Sequence, residues 1–242
     1  MNLLIDIGNS RIKWAVANGT KLGETHVAPT RPFPVGFAAI GAMPDMPARI
    51  VCANVAGAEA AEAVTAWANE RYSLTPVLLQ AEEQAFGVRN AYGRPERLGA
   101  DRWAALIGAR WRSNQAVCVI DCGTAITVDL LDDDGHHRGG LIGPGVATMR
   151  RALYGTTAGI ADEGEGVMAP LAADTRSAVT AGTLYMAAAF IDRARTEIEA
   201  MRARDLPCLL TGGDATVVAP LLSGRYEMAP DLVLEGLAVI AA

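Results

Sequence analysis

Two short stretches of the sequence carry side chains suited to binding phosphate. In LLIDIGNSRIK, Asp6 follows an apolar run, and a small polar turn then leads to Lys13. In CVIDCGT, Asp121 is followed by Gly123 and Thr124. Glycine lets the backbone approach an anion closely, turn amides point at phosphate oxygens, and lysine supplies the opposite charge. The alternative for the first stretch is a strand that ends near Asp6, a plain hairpin turn and Lys13 facing solvent. A strand built only for stability would not contain Asp6, because burying a carboxylate without a partner is costly.

The second stretch repeats the pattern of the first 115 residues further along the chain. Each has an apolar strand, an aspartate, one residue, a glycine, a small polar residue and a returning strand. A single Asp-x-Gly is common by chance, but two of them, each at the first hairpin of a half-chain, predict a duplicated fold. We expect the two carboxylates to face each other across a cleft, where a metal ion sits between them and the phosphates.

A third stretch, LLTGGDA, places two glycines directly after an apolar strand. Such a turn permits close approach of a flat ring or a phosphate. It also fits a tight strand-to-helix turn with Asp214 as the helix N-cap, and both interpretations hold together. Because the sequence contains no Walker A motif, a P-loop kinase is excluded.

Strands and helices alternate along the chain, which predicts the α/β class. Strands are expected at residues 3–7, 12–17, 48–53, 75–79, 116–121, 125–131 and 208–211. Helices are expected at residues 58–71, 99–111, 147–153, 178–202, 215–222 and 233–242, with a glycine-rich bend at 139–145. The repeat divides the chain into an N-terminal half, residues 1–115, and a C-terminal half, residues 116–242.

Composition excludes several classes of protein. The net charge of −6 argues against a nucleic-acid partner, which would favour a basic surface. No apolar run reaches the roughly 18 residues of a membrane span, and the N-terminus lacks the basic start of a signal peptide. The four cysteines and three histidines show no metal-binding spacing, and Cys118 and Cys122 are interpreted as small core side chains. We expect a cytoplasmic protein with no membrane partner.

The stretch GADRWAALIGA adds a candidate for catalysis. Asp101 lies beside Arg102 at the expected start of a helix, where an acid is ordinarily favoured by the helix dipole. Taken with DIGNSRIK, DCGTAITVD, GGLIGPG and TGGD, in this order along nearly the whole chain, the set closely resembles type III pantothenate kinase.

The resemblance implies a fold and an activity. The fold is that of acetate and sugar kinases, actin and heat-shock chaperone ATPases: duplicated ribonuclease H-like (actin-like ATPase) domains with an interdomain cleft. The implied reaction is ATP-dependent phosphorylation of pantothenate to 4′-phosphopantothenate, the first step of coenzyme A biosynthesis. Implied cofactors are ATP with Mg²⁺ and a monovalent cation, K⁺ or NH₄⁺. A homodimer with the pantothenate pocket at or near the interface is also implied.

The resemblance also assigns roles to residues that match the family motifs. Those implied to bind ATP are Asp6, Ile7, Gly8, Asn9, Ser10, Arg11, Ile12, Lys13 and Thr124. Those implied to bind pantothenate are Tyr92, Gly99, Ala100, Asp101, Arg102 and Thr175, with Asp101 as the general base and Asp121 as the ligand of the monovalent cation. Two positions depart from the family pattern: Ser10 replaces the usual threonine, and Asp174 replaces the usual asparagine before Thr175.

Two other functions stay open at this point. Proteins similar to the family have been described as accessory factors for transcription, and another small-molecule kinase or a phosphatase of the superfamily is the third possibility. A relative that has lost its activity should lack at least one of Asp6, Lys13, Asp101, Arg102, Asp121 and Thr124, and this chain has them all. The segment Gly99–Arg102 is what favours pantothenate over another substrate.

Overall fold

Two five-stranded sheets with the same strand order organise the chain. The structure, a computed structural model, describes residues 1–41, 46–202 and 205–242. Its strands are β1 (Asn2–Ile7), β2 (Arg11–Asn18), β3 (Lys21–Pro29), β4 (Arg49–Asn54), β5 (Val77–Leu78), β6 (Gln84–Ala85), β7 (Val88–Arg89), β8 (Val117–Cys122), β9 (Ala125–Leu131), β10 (His137–Pro144), β11 (Cys208–Thr211) and β12 (Glu227–Met228). The first sheet has the order β3-β2-β1-β4-β5, the second has the order β10-β9-β8-β11-β12, and β6 pairs with β7. The predicted α/β class and the predicted duplication are confirmed.

The helices connect and cover these strands. They are α1 (Phe33–Ala38), α2 (Ala58–Tyr72), α3 (Ala100–Arg112), α4 (Val146–Thr156), α5 (Thr175–Arg202), α6 (Ala215–Val218) and α7 (Leu232–Ala241), with 3₁₀ turns at Pro95–Arg97 and Ala219–Leu221. No helix in the described part of the chain is long and apolar enough to cross a membrane.

Strand β1 is the centre of the first sheet. It pairs antiparallel with β2 and parallel with β4. Leu3, Leu4, Ile5 and Ile7 are fully buried, because a central strand covered on both faces needs a nearly continuous apolar run rather than an alternating one. Asp6 is the polar interruption in this run, which places a carboxylate near the end of a buried strand.

The same arrangement recurs in the second sheet. Strand β8 pairs parallel with β11, and β11 pairs parallel with β12. The register sets Asp121 of β8 beside Thr211 of β11. Cys118 and Cys122 of β8 are buried and free, as expected for small core side chains.

Two close contacts hold α3 against α7. A Cβ on Gly108 of α3 would lie 2.5 Å from the carbonyl oxygen of Leu232, and a Cβ on Gly236 of α7 would overlap the carbonyl oxygen of Ala104. Glycine at both positions therefore lets the two helix backbones touch. Trp103 is fully buried on α3, so this helix has a fixed place in the core and its N-terminus has a fixed position.

Two expectations about secondary structure were wrong. Residues 139–145, expected as a bend, belong mostly to strand β10, because pairing with β9 overrides the poor strand preference of its glycines. The helix expected at 215–222 is shorter: α6 ends at Val218 and a 3₁₀ turn follows. Pro220 in that turn has no backbone N–H, so it cannot continue the α-helical hydrogen bonding.

The chain folds into two compact units. The first comprises Met1–Ala116, Leu131–Gly139 and Asp231–Ala242, and the second comprises Val117–Leu130 and Gly140–Pro230. The division into halves at residues 1–115 and 116–242 stays a prediction about how the chain arose by duplication.

Candidate active site

The turn between β1 and β2 is held by three backbone-directed hydrogen bonds. The amide of Gly8 donates to the carbonyl of Arg11 at 3.0 Å, and the amide of Thr30 donates to the carbonyl of Ser10 at 3.1 Å. The hydroxyl of Thr30, which is fully buried, donates to the carbonyl of Gly8 at 2.7 Å. Thr30 was not identified from the sequence, because it lies beyond β3 and reaches the turn only through the fold.

The side chains of this turn divide into buried and exposed groups. Ile7 and Ile12 are fully buried, so only their backbone groups can meet a ligand. Asn9, Ser10 and Arg11 are exposed. The turn therefore presents polar donors to solvent on a backbone fixed from behind, which is the arrangement that an anion-binding turn requires.

Lys13 lies on the same side of the sheet as Asp6. The two residues are directly opposite in the β1–β2 register, and residues so paired project to the same face. The ammonium nitrogen of Lys13 lies 3.2 Å from Oδ1 of Asp231, whose backbone carbonyl accepts from Glu235 in the first turn of α7. The side chains of Lys13 and Asp231 are 25% and 33% exposed. Lys13 is thus oriented by an ion pair that solvent only partly screens.

The start of α3 holds Asp101 close to the backbone. Gly99 precedes the helix and its carbonyl accepts the Trp103 amide at 2.9 Å. Oδ1 of Asp101 accepts the Arg102 amide at 2.7 Å and lies 2.6 Å from where a Cβ on Gly99 would be. Any larger residue at position 99 would meet the carboxylate, which lies in the first turn of the helix.

Arg102 and Tyr92 form a pair beside this carboxylate. Nη1 of Arg102 donates to the Tyr92 hydroxyl at 3.0 Å, and the guanidinium carbon lies 5.7 Å from the centre of the Tyr92 ring. Arg102 is buried, and a planar guanidinium held in this way presents a fork to a carboxylate ligand. The Tyr92 amide donates to Oδ1 of Asn90 at 3.0 Å, and the Asn90 side-chain amide donates to the carbonyls of Glu82 and Pro95 at 3.3 Å each.

The structure therefore brings together four of the predicted substrate residues: Tyr92, Gly99, Asp101 and Arg102. Ala100, the first residue of α3, is buried beneath them. Asn90 was missed by the sequence analysis. A lone asparagine before a turn gives no signal that its side chain fixes the loop that follows.

In the second unit, three glycine turns meet around Asp121. The Gly123 amide donates to the Ala125 carbonyl at 3.0 Å, and the Gly145 amide donates to the Thr124 carbonyl at 3.0 Å. A Cβ on Gly145 would overlap the Gly123 carbonyl oxygen, and a Cβ on Gly212 would overlap Oδ1 of Asp121. Gly212 also has a φ of +94°, a conformation that favours glycine. Backbone of all three turns can therefore approach a ligand of this carboxylate closely.

Thr124 and Asp214 complete this second cluster. The hydroxyl of Thr148 donates to the Thr124 carbonyl at 2.7 Å, which anchors α4 to the turn. Asp214 occupies the predicted N-cap position of α6, where its carbonyl accepts from Val217 and Val218, but its side chain makes no capping hydrogen bond. Its amide donates to the Cys122 carbonyl at 2.9 Å.

Burial decides the chemistry of the cysteine in this cluster. Burial, with smaller contributions from Asp121 and Asp214, raises the pKa of the Cys122 thiol to about 12. The thiol is therefore protonated at neutral pH and is no nucleophile. Among the described residues, no three metal-ligating side chains of His, Cys, Asp or Glu form a group.

Thr175 is the first residue of α5 and is exposed. Asp174 before it caps the helix: its Oδ1 accepts the Ser177 amide at 2.8 Å and its carbonyl accepts the Ala178 amide at 3.0 Å. The hydrogen bond from the Ser177 backbone lowers the pKa of the Asp174 carboxyl. Because asparagine caps helices as well as aspartate does, the departure at this position preserves the local structure.

Comparisons with known proteins agree with this arrangement. A family model described as type III pantothenate kinase matches residues 2–197. A type III pantothenate kinase from Nitrosococcus oceani is 44% identical over 250 residues, covering 100% of this chain and 94% of the relative. Another from an Azoarcus species is 41% identical over 250 residues, covering 100% of this chain and 91% of the relative.

Two solved structures share the fold. A Campylobacter jejuni protein described as a Baf family transcriptional activator has a TM-score of 0.59 and 19% identity, covering 97% of this chain and 94% of that one. A ROK family glucokinase from Streptomyces griseus has a TM-score of 0.51 and 14% identity, covering 100% of this chain and 98% of that one. At these identities the likeness concerns the fold alone, and it confirms the predicted actin-like ATPase fold. With a matching family model and full-length relatives above 40% identity, the chain belongs to the type III pantothenate kinase family.

Proposed function

We propose that this protein transfers the γ-phosphoryl group of ATP to the primary hydroxyl of pantothenate, which yields 4′-phosphopantothenate for coenzyme A biosynthesis. The observation that carries the proposal is the Gly99–Arg102 segment. There a carboxylate at a helix start lies beside a buried arginine that is paired with Tyr92. This segment supplies a base and an anion-binding fork in one place, and pantothenate has both an alcohol and a carboxylate.

Asp101 is the proposed general base. A primary alcohol is a poor nucleophile, and it gains from losing its proton as the phosphoryl group transfers. The hydrogen bond from the Arg102 amide fixes the Asp101 side chain at 2.7 Å. A carboxylate has about four acceptor sites. A carboxylate oxygen within hydrogen-bond reach of the substrate alcohol can accept its proton.

Arg102 and Tyr92 are the proposed anchors of pantothenate. Arg102 can bind the substrate carboxylate in a bidentate manner, while Tyr92 fixes the guanidinium plane. Gly99 and Ala100 are proposed to contact pantothenate through their backbone groups at the same place. Thr175, exposed at the start of α5, is proposed to contact the substrate through its hydroxyl.

The β1–β2 turn is the proposed site for the ATP phosphates, from Asp6 through Lys13. Its exposed donors and fixed backbone suit an anion, and Lys13 supplies the positive charge. Thr124 is the proposed ATP contact of the second unit. In phosphoryl transfer, positioning and charge neutralisation provide most of the rate, so these groups act without covalent chemistry.

Asp121 is the proposed ligand of a monovalent cation, K⁺ or NH₄⁺. The donor set fits a hard cation, because a Cβ on Gly212 would overlap both Oδ1 of Asp121 and the carbonyl oxygen of Cys122, so two oxygen donors lie close together there. Mg²⁺ bound with ATP would neutralise charge on the phosphates.

A homodimer is proposed through an apolar surface of the second unit. Tyr185 and Met186 of α5 are exposed, as are Leu141 and Ile142 of β10. These two elements are neighbours, because a Cβ on Gly143 would lie 3.3 Å from the Phe190 ring. Apolar side chains concentrated in this way favour a protein contact. We also propose a cytoplasmic location, where the four free cysteines stay reduced.

The test is a coupled assay of ADP release with ATP, Mg²⁺ and K⁺, with and without pantothenate. We expect ADP release that depends on pantothenate and a product whose mass increases by one phosphoryl group. ADP release that is the same without pantothenate, or that occurs only with another alcohol, would contradict the proposal.

A further inference from the structure

A buried histidine lies directly behind the proposed pantothenate site. His137, the first residue of β10, is fully buried. Its ring lies 6.1 Å from the ring of Tyr92, centre to centre, at an interplanar angle of 21°. This stacked geometry places an imidazole against the tyrosine whose hydroxyl accepts the hydrogen bond from Arg102 at 3.0 Å.

The segment that carries His137 is itself rigid. The Gly135 amide donates to the Asp132 carbonyl, and the Asp132 amide donates to the His136 carbonyl, at 2.9 Å each. The side chain of buried Asp132 forms an ion pair with Arg138, the residue that follows His137 in the chain. His137 is thereby held by a closed turn with bonded residues on both sides.

The same segment is tied to the loop that carries Tyr92. The Arg89 amide donates to the Gly135 carbonyl at 2.9 Å, and the Arg89 side chain lies 3.1 Å from Nδ1 of His136. Oδ1 of Asn90, the next residue, accepts a hydrogen bond from the Tyr92 amide. These hydrogen bonds connect the turn bearing His137 to the loop bearing Tyr92, and the stacked rings are a further contact between the two segments.

We propose that His137 is a positioning residue for pantothenate, which acts by holding the Tyr92 ring and, through it, the Arg102 guanidinium. The proposal rests on the proposed function, because it takes Tyr92 and Arg102 as substrate contacts. Stacking on the Tyr92 ring explains why a residue with a flat aromatic ring occupies position 137. The energy of an aromatic pair, roughly 0.5–1.5 kcal/mol, corresponds to about a two- to tenfold effect.

Two variants distinguish the role of the His137 ring from the role of its nitrogen atoms. His137→Phe keeps a flat ring, and His137→Gln keeps a polar group without a ring. We expect His137→Gln to raise the pantothenate KM by about three- to tenfold, with kcat and the ATP KM nearly unchanged. We expect His137→Phe to keep the pantothenate KM of the original protein. The matched control is His26→Gln, because His26 also stacks on an aromatic ring, that of Trp14 at 5.6 Å rather than that of Tyr92.

A double-mutant cycle with Tyr92→Leu provides the second readout. If His137 acts through Tyr92, His137→Gln should leave the pantothenate KM of the Tyr92→Leu variant unchanged. Melting temperatures identify any variant that fails to fold. An unchanged KM in folded His137→Gln, a raised KM in folded His137→Phe, or additive effects in the cycle would each overturn the inference. Loss of pantothenate-dependent ADP release in the unmodified protein would instead overturn the proposed function.

Discussion

Replacing Asp101 with asparagine tests the proposed mechanism most directly. Asparagine keeps the size of the side chain and keeps an Oδ1 that can accept the Arg102 amide, now at 2.7 Å. It also keeps the contact with Gly99, since the oxygen position is the same. What it loses is the ability to take a proton at neutral pH. The substitution therefore removes basicity and leaves the geometry of the helix start intact.

The expected effects on turnover and on stability differ widely in size. A general base contributes about 10²–10⁴-fold, or about 2.7–5.4 kcal/mol of barrier. A first-turn acid contributes about 0.3–1 kcal/mol to stability through the helix dipole, which is roughly 1–4 °C in melting temperature for a chain of this size. We therefore expect kcat to fall by two to four orders of magnitude while the protein remains folded at assay temperature.

The assay measures kcat by coupled ADP release and Tm by thermal unfolding on the same preparation. The matched control is Glu59→Gln, which removes a first-turn acid from α2, where Glu59 pairs with Arg31 at 3.1 Å on the surface. It should lower Tm by a similar small amount and leave kcat unchanged. If Asp101→Asn behaves like this control, Asp101 only stabilises the helix start and the base lies elsewhere.

Three further predictions concern the cation, the glycine before α3 and the dimer. If Asp121 helps to hold a monovalent cation, activity in Na⁺ alone should be low and K⁺ should restore it; equal rates in both salts would remove that role. Gly99→Ala places a Cβ 2.6 Å from the Asp101 carboxylate, so displacement of the base should lower kcat by about 10²-fold with the ATP KM retained, and normal turnover would contradict this contact. Met186→Glu should convert a dimer into a monomer of 25.3 kDa by light scattering, while Met201→Glu, on the same helix and also exposed, should not; equal masses for both would reject the proposed surface.

The turns of the site could be predicted because their chemistry is local. The atoms nearest to a Cβ at Gly8, Gly123 or Gly99 belong to residues two or three positions away: the Arg11 carbonyl, the Asp121 carboxylate and the Asp101 carboxylate. The residue types that follow them are those that bind anions. Such a pattern can be recognised in a sequence because these neighbours are close together in the chain.

Asn90 and His137 could not be predicted in the same way. Asn90 acts through carbonyls that the loop brings to it, and His137 meets Tyr92 only because β10 begins beside that loop. Neither residue lies in a motif, and each would be read as an ordinary polar residue in a turn. Contacts that form only in the tertiary structure cannot be recognised from the spacing of residues along the sequence.

Strands β3 and β10 were not predicted from the sequence for a related reason. These two strands are also the ones that matter most to the site. Strands β3 and β10 are largely exposed and lack the alternation of apolar and polar residues that identifies a strand. Yet the residue directly after each strand donates its amide to the turn: Thr30 to the Ser10 carbonyl at 3.1 Å, and Gly145 to the Thr124 carbonyl at 3.0 Å. The residues after β3 and β10, the two strands that the sequence did not predict, therefore help to fix both candidate ligand turns.

The duplication also explains why the two turns differ in their proposed roles. The position that corresponds to Lys13 at the offset of 115 residues is Val128, which is fully buried in β9. A cationic side chain that pairs with Asp231 is thus replaced by an apolar side chain in the core. Asp6 has Lys13 opposite it in register, whereas Asp121 has Thr211 beside it and Gly212 against its carboxylate oxygen. One scaffold therefore provides a turn that carries its own lysine, suited to phosphate, and a turn with valine at the corresponding position, where we propose a monovalent cation.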